Sequence, residues 1–391
     1  MKKIMKHLKL FLQAVAYYIW TSLHKKDKKL WLFGEWKGTS YSDNPKYLFE
    51  YVSVNHPEIN AVWITKNKDI YELVKNKGYK AQLYPSKKAR TFICRAGVLV
   101  ESEGSCDIGH FPVGGATVMQ LSHGIPAKRC LWFQRNTNRI KQLIIHIESD
   151  NHSKSLWPKP SQYYQDMVEV MYDVPKDNFI DAGFPRHDAI TYECRNKYIK
   201  KLHQEHEKMI LYLPTHRNWG VDFDLNFLKS GLVQMDEFGK KNGIYFLYKP
   251  HPNEVSLVMN MGLDLANVYI LEGSKFQDLY EYLYECDGLI SDYSSVIYDF
   301  LPINRPIVLF DYDLEHYQTC DGGVPEDYFK HPIGPICYDW DSMLNSVKES
   351  LDCDPWKEIR SKEIMYFNAT ADGKNSERVF QALAKRLSLH F

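Results

Sequence analysis

Gly288-Leu289-Ile290-Ser291-Asp292-Tyr293-Ser294-Ser295-Val296-Ile297-Tyr298-Asp299 runs a short apolar strand straight into a helix. A strand that ends in small polar residues at a helix start is the opening of an α/β unit. The amides around Ser294 to Val296 then form an anion site, and two hydroxyls add donors. Read alone, the same run is also an ordinary helix cap.

Outward from this stretch, Met209 to Pro214, Gly243 to Tyr248, Asn267 to Leu271 and Pro306 to Phe310 read as strands of the same sheet, with helical stretches between them. Residues 276–285 give the clearest of those helices. The first half repeats the plan: residues 29–34 read as a buried strand, and residues 44–54 as a helix with Asn44 as N-cap and Pro45 at its first position. Further strands fall at Ala61 to Thr65, Ala81 to Tyr84, Gly97 to Glu101 and Thr117 to Ser122, with a helix at Asp69 to Asn76. The expected fold is therefore α/β, two Rossmann-like domains facing a cleft. Residues 29–192 form the first domain, 193–374 the second, and 375–391 a final helix.

A chain of 391 residues with 44% hydrophobic and 25% charged residues has enough apolar material for two packed cores. Lys plus Arg and Asp plus Glu are both 49, so no global field draws the chain to nucleic acid. Eight cysteines without CxxC spacing exclude a zinc ribbon or a thioredoxin-like redox motif.

Charge concentrates at one place. Residues 1–28 form a basic segment in which Lys2, Lys3, Lys6, Lys9, Lys25, Lys26 and Lys28 flank an apolar stretch from Leu10 to Leu23. That stretch is short of the roughly twenty residues a spanning helix needs. It reads as an amphipathic helix lying on an anionic membrane surface, with Tyr17, Tyr18 and Trp20 at headgroup level. A helix docked on its own domain is the plain alternative. The membrane reading makes the protein peripheral, on the cytoplasmic face.

Ligands of open α/β sheets bind off the carboxyl ends of strands. His123 follows one strand within Leu121-Ser122-His123-Gly124-Ile125-Pro126-Ala127-Lys128. Pro214-Thr215-His216-Arg217 follows a second, bringing an arginine able to grip phosphate, and Lys249-Pro250-His251-Pro252-Asn253 follows a third. Each alone is compatible with a structural turn; together they point to a site.

In order along the chain stand residues 41–47 (Tyr-Ser-Asp-Asn-Pro-Lys-Tyr), 122–126 (Ser-His-Gly-Ile-Pro), 183–188 (Gly-Phe-Pro-Arg-His-Asp), 214–217, 251–253, 291–295 and Gly334-Pro335. This ordered set resembles the CDP-glycerol glycerophosphotransferases, the teichoic acid primase and polymerase type, over about residues 30–380. The resemblance implies a GT-B fold, a CDP-glycerol or related CDP-polyol donor, a lipid-linked glycan acceptor, and no cofactor or metal. It implies His123 as general base and His251 as a second essential histidine. Thr215, Arg217, Ser294 and Ser295 fall at donor-phosphate positions, as does Asp292, an acid of uncertain role. Asn44, Lys128 and Arg186 are assigned to the acceptor side or to structure. The chain departs from the family's Trp-His-Gly-Thr-Pro-Leu-Lys at 121–128, which leaves polyol and acceptor identity open, as are single addition against polymerisation and a homo-oligomer. The implied reaction forms a phosphodiester and releases CMP. A GT-B glycosyltransferase using a nucleotide sugar and a non-catalytic membrane-bound binding protein are the rival readings.

Overall fold

The computed structural model describes residues 2–127, 152–217, 223–251, 253–320 and 323–390. These fall into two compact units. The first contains the described residues up to His123, then 152–188 and 370–390; the second contains 124–127 and the described residues of 189–369. The sequence division at 192/193 thus differs from the observed one at 188/189, and the final helix belongs to the first unit rather than standing by itself.

The first unit is a parallel sheet of β1 (Asp27–Phe33), β2 (Asn60–Thr65), β3 (Ala81–Leu83), β4 (Ala96–Glu101) and β5 (Thr117–Gln120), in the order β3-β2-β1-β4-β5. In β1, Trp31 and Phe33 enter one core cluster while Leu30 and Leu32 enter another. A strand covered on both faces needs this uninterrupted apolar run. A short parallel pair, β6 (Trp157–Pro158) and β7 (Phe179–Ile180), lies beyond β5.

The second unit is a six-stranded parallel sheet of β8 (Lys208–Leu213), β9 (Ile244–Tyr248), β10 (Val268–Ile270), β11 (Gly288–Ser291), β12 (Ile307–Phe310) and β13 (Ile336–Cys337). Its order is β10-β9-β8-β11-β12-β13. Gly334 leads into the last strand where a Cβ would lie 1.9 Å from the Ile307 carbonyl oxygen, so only glycine passes there. In both sheets the strand order reverses beside the first strand, between β1 and β4 and between β8 and β11. A ligand crevice is expected at such a reversal. Two Rossmann-like α/β units of this kind are the make-up of the GT-B class.

Two helix expectations are corrected. Residues 276–285 are not one helix but short 3₁₀ turns, Ser274–Phe276, Leu279–Glu281 and Leu283–Glu285. The Asp278 carboxylate takes the Tyr280 amide at 3.0 Å and restarts the turn, and Tyr282 leaves helical geometry at φ −146° while its ring is buried. Asn44 is not an N-cap: the helix Asp43–Asn55 begins after Ser42, with Asn44 buried inside its first turn.

The amino-terminal helix, Lys2–Ser22, is held to the first unit by its last turns. The Gly114 amide donates to Thr21 Oγ1 at 2.9 Å, and Tyr17 packs 5.8 Å from Phe111. Tyr17 therefore faces the protein, while Leu12, Ile19, Trp20 and Leu23 remain exposed. Lys26 and Lys28 also turn inward, donating to the carbonyls of Cys94 and Leu387 at 2.8 Å each, where helices end and a cation is favoured. No helix among the described residues is long and apolar enough to cross a membrane.

Candidate functional site

The first cluster lies past the carboxyl ends of β1, β4 and β5, and Asp43 is its centre. Asp43 Oδ2 lies 3.0 Å from His123 Nδ1, and Oδ1 accepts from Arg186 Nη1 at 2.7 Å. Arg186 Nη2 donates to the His123 carbonyl at 2.9 Å, so the histidine is gripped by ring and backbone through one carboxylate and one guanidinium. Asn44 completes the frame: its Nδ2 donates to the Ser122 carbonyl at 2.9 Å and its Oδ1 accepts from the Arg186 amide at 3.1 Å. A carboxylate on Nδ1 fixes the proton there and leaves Nε2 with the lone pair. Nε2 is thereby the acceptor atom of the His123 ring.

Burial acts upward on the Asp43 carboxyl, but the Arg186 guanidinium and His123 outweigh it and hold it below the usual carboxylate range. Glu35 shows the opposite balance. Burial, aided by Asp43, pushes its carboxyl well above that range, against a 2.6 Å hydrogen bond from Ser102. Glu35 Oε1 stands 4.0 Å from His123 Nδ1. The backbone around the histidine is strained: Trp36, Lys37, Asp43 and Ser122 all have φ between 48° and 57°. Each such residue costs about 1–3 kcal/mol and persists only where its surroundings enforce it.

Glu35, Asp43 and His123 bring one potential metal-ligand atom each within 4.8 Å of one another, as do Glu103, Cys106 and Asp107. In the first set both Asp43 oxygens are already engaged by Arg186 and His123, and in the second Asp107 accepts from the amides of Lys37, Ser102 and Glu103. Asp43 and Asp107 are thus bonded within the protein in both sets.

The second cluster lies past β8, β9, β11 and β12, and here the structure corrects an expectation. Arg217 is buried at 3% exposure. Its Nε donates to Asp313 at 2.5 Å, Nη2 to Asp292 and Asp313 at 2.9 and 3.0 Å, and Nη1 to the Thr215 and His216 carbonyls at 2.9 and 3.2 Å. A guanidinium has five N–H donors, and all five are spent within the protein. Burial works against this cation, but Asp292 and the hydrogen-bonded Asp313 outweigh it and hold it firmly protonated. Thr215 is likewise turned inward, giving its hydroxyl to Asp292 at 2.5 Å. Arg217, Thr215 and Asp292 therefore brace the loops instead of meeting phosphate directly.

What faces outward is a pair of histidines. His216 and His251 lie with ring centroids 4.7 Å apart. His216 Nδ1 is 2.9 Å from the buried Glu254 carboxylate, which also accepts the Arg217 amide at 2.7 Å. His251 Nδ1 accepts the Asn253 amide at 3.3 Å, which places its proton on Nε2 as a donor. Ser294 and Ser295 are half-buried at the turn from β11 into the helix Val296–Phe300. Lys128 lies outside the described residues.

Asp43, Glu35, His216 and Glu254 are the members that sequence reasoning did not assign. Asp43 and His216 lie inside runs singled out above, beside the residues chosen. Glu35 and Glu254 carry no local signal, because only their burial next to a histidine or arginine marks them.

Comparison with known proteins decides what this arrangement belongs to. The model of the family described as CDP-glycerol:poly(glycerophosphate) glycerophosphotransferase matches residues 16–385. The chain belongs to this family. It is 25% identical over 387 residues to the teichoic acid glycerol-phosphate transferase of Staphylococcus aureus, covering 92% of this chain and 94% of that one. It is 26% identical to the teichoic acid poly(glycerol phosphate) polymerase of Bacillus subtilis over 92% of this chain, but spans only 49% of that relative. The structure of the wall teichoic acid polymerase TagF matches with a TM-score of 0.75 at 20% identity, over 99% of this chain and 97% of that one. The family member described here is a transferase of the teichoic acid glycerol-phosphate type.

Replacing Arg217 by Met leaves Asp292 and Asp313 buried without their cation. We expect a loss of about 3–5 kcal/mol in unfolding free energy by urea titration. Unchanged stability with only a raised donor KM would restore the phosphate-binding assignment.

Burial, with Asp292 and Asp313 adding and the Tyr328 hydroxyl opposing, pushes the Asp311 carboxyl up to about 8. The folded chain keeps a proton there that the unfolded chain releases near pH 4. The contribution is present below pH 4 and lost as pH rises to about 8, so stability falls across that window. Asp311→Asn should flatten the slope of unfolding free energy between pH 4 and pH 8; an unaltered slope refutes the assignment.

Proposed function

We propose that this protein transfers glycerol phosphate from CDP-glycerol to a hydroxyl of a lipid-linked acceptor, forming a phosphodiester and releasing CMP. The observation that carries the reading is the His123–Asp43 pair at the strand-order reversal of a chain in this family. An alcohol is a poor nucleophile at neutral pH, and a histidine whose Nδ1 proton is held by a carboxylate offers Nε2 to remove the hydroxyl proton. The oxygen attacks the glycerol-bearing phosphorus, and the bond from that phosphorus to the CMP oxygen breaks. The departing phosphate gains charge, which the Nε2 proton of His251 and the amides at Ser294 and Ser295 are suited to meet. Arg217 acts at one remove, through the loop that presents His216.

Two observations support a membrane-surface location. The amino-terminal helix leaves Leu12, Ile19 and Leu23 exposed at 58%, 56% and 80%. Beside Trp20 and His24 a cavity of about 360 Å³ is lined by Lys87, Arg90 and Arg95, from a helix that carries no acid. Apolar side chains bordered by cations suit the interface of an anionic bilayer.

Activity is tested by incubating the full chain with CDP-glycerol, CDP-ribitol or a UDP-sugar and a membrane-extracted acceptor, and measuring CMP or UDP. We expect CMP from CDP-glycerol; UDP release would favour a glycosyltransferase. His123→Ala should lower kcat by about 10²–10⁴ while CDP-glycerol still binds by calorimetry. Near-normal turnover removes it as the base. Changing Ile19 and Leu23 together to Asp should abolish co-sedimentation with vesicles containing anionic phospholipid and leave the melting temperature within a few degrees. Persistent binding would place the membrane contact elsewhere.

A further inference from the structure

Trp36 sits on the surface beside His123. Trp31 and Trp63 of the same unit are fully buried, whereas Trp36 is 53% exposed. Its ring lies 5.4 Å from the His123 ring with the planes at 77°, so indole and imidazole form an open corner. The loop that carries it is firmly held. Lys37 donates its amide to Asp107 at 2.7 Å, and the Gly38 carbonyl accepts from the Lys66 amide at 2.7 Å and the Thr65 hydroxyl at 2.8 Å. Lys66 Nζ reaches the carbonyls of Lys37 and Cys106 at 2.9 and 2.6 Å. These bonds hold Trp36 and Lys37 at φ 48° and 57°, a conformation side chains rarely adopt. A large aromatic held outward by enforced strain, next to the base, is the build of a binding platform.

The surrounding charge selects what stacks there. Glu35, Asp43 and Glu103 all lie within 4.0 Å of a His123 ring nitrogen. Among the described residues Arg186 is engaged by Asp43, Lys66 by two carbonyls, and Lys37 by Glu103 at 3.7 Å. A phosphate-bearing acyclic acceptor would bring its charge among carboxyl groups. A sugar ring brings a C–H face for the indole and hydroxyl donors for the partly exposed Glu103 carboxylate. We propose that Trp36 is the stacking platform for a pyranose ring of the acceptor, so that the His123 site takes a sugar-terminated acceptor in preference to an acyclic polyol phosphate. This deepens, and rests on, the transferase reading above.

The test compares full-length wild type, Trp36→Ala and Trp36→Phe with two probes, octyl glucopyranoside and octyl glycerol phosphate, by CMP release from CDP-glycerol. We expect Trp36→Ala to raise the pyranoside KM about tenfold with kcat within about threefold, Trp36→Phe to keep most of the affinity, and the acyclic probe's KM to stay unchanged. Equal KM rises for both probes, or a fall in kcat alone, would overturn the platform. Saturation-transfer NMR with the pyranoside decides independently of turnover: contact seen in wild type and lost in Trp36→Ala supports it. No contact in wild type, or contact retained in Trp36→Ala, refutes it. Wild type that gives the NMR contact but releases no CMP with either probe counts against the transferase reading and leaves the platform standing.

Discussion

Asp43 has one charge and two oxygens, and the order of the first site follows from how they are shared. One oxygen holds the Nδ1 edge of His123 and the other holds Arg186, which reaches back to the histidine's own carbonyl. Remove the carboxylate and a guanidinium at 1% exposure loses its counter-ion while the imidazole loses its tautomer. The same residue opens the helix Asp43–Asn55 with φ 57°, so the helix starts where the site needs its carboxylate and not where local propensity would choose. A non-glycine residue in that conformation is expensive. The ionic contacts across Asp43 are what offset it.

The second unit repeats the logic with the charges exchanged. There a cation is the hub, and Arg217 binds Asp292 after β11 and Asp313 after β12 while its amide and carbonyl neighbours fix His216. An arginine with every donor spent is a brace, and the groups it braces are the ones left to meet a ligand. Asp188 works similarly at the carboxy-terminal end. It takes the amides of Asn375 and Ser376 at 2.7 Å each, capping the final helix where its own N-cap residue, Lys374, makes no side-chain bond. The run 183–188 thus binds distant chain on both sides, through Arg186 to Asp43 and through Asp188 to residue 375.

The strands were legible because burial on both faces writes a continuous apolar run into the sequence, as in Leu30 to Phe33 and Met209 to Leu213. Polar residues after such runs were legible as well, but not their use, since Thr215, Arg217 and Asp292 turn out to bond to one another and to Asp313. The partners were not. Asp43 and Arg186 are 143 residues apart and Arg217 and Asp313 are 96 apart, and nothing in either segment announces the other. Hence an arginine after a strand resembles a phosphate ligand in sequence, while in the fold two buried aspartates claim it. The helix expected at 276–285 failed for a related reason: its helical spacing of apolar residues is real, but Asp278 and the burial of Tyr282 break the backbone into separate turns.

The two units therefore differ in the charge of their hubs. An anionic hub fixes the ring of its histidine, because the carboxylate at Nδ1 holds the proton there and leaves Nε2 with the lone pair. The cationic hub bonds the His216 carbonyl instead; Glu254 meets the Nδ1 of His216, and the Nδ1 of His251 accepts a backbone amide. The Nε2 of His251 is accordingly a donor and that of His123 an acceptor, the pairing that the transfer proposed above calls for. Proton removal and charge stabilisation are opposite demands on the same type of side chain. A carboxylate beside one ring and an amide beside the other are enough to separate them.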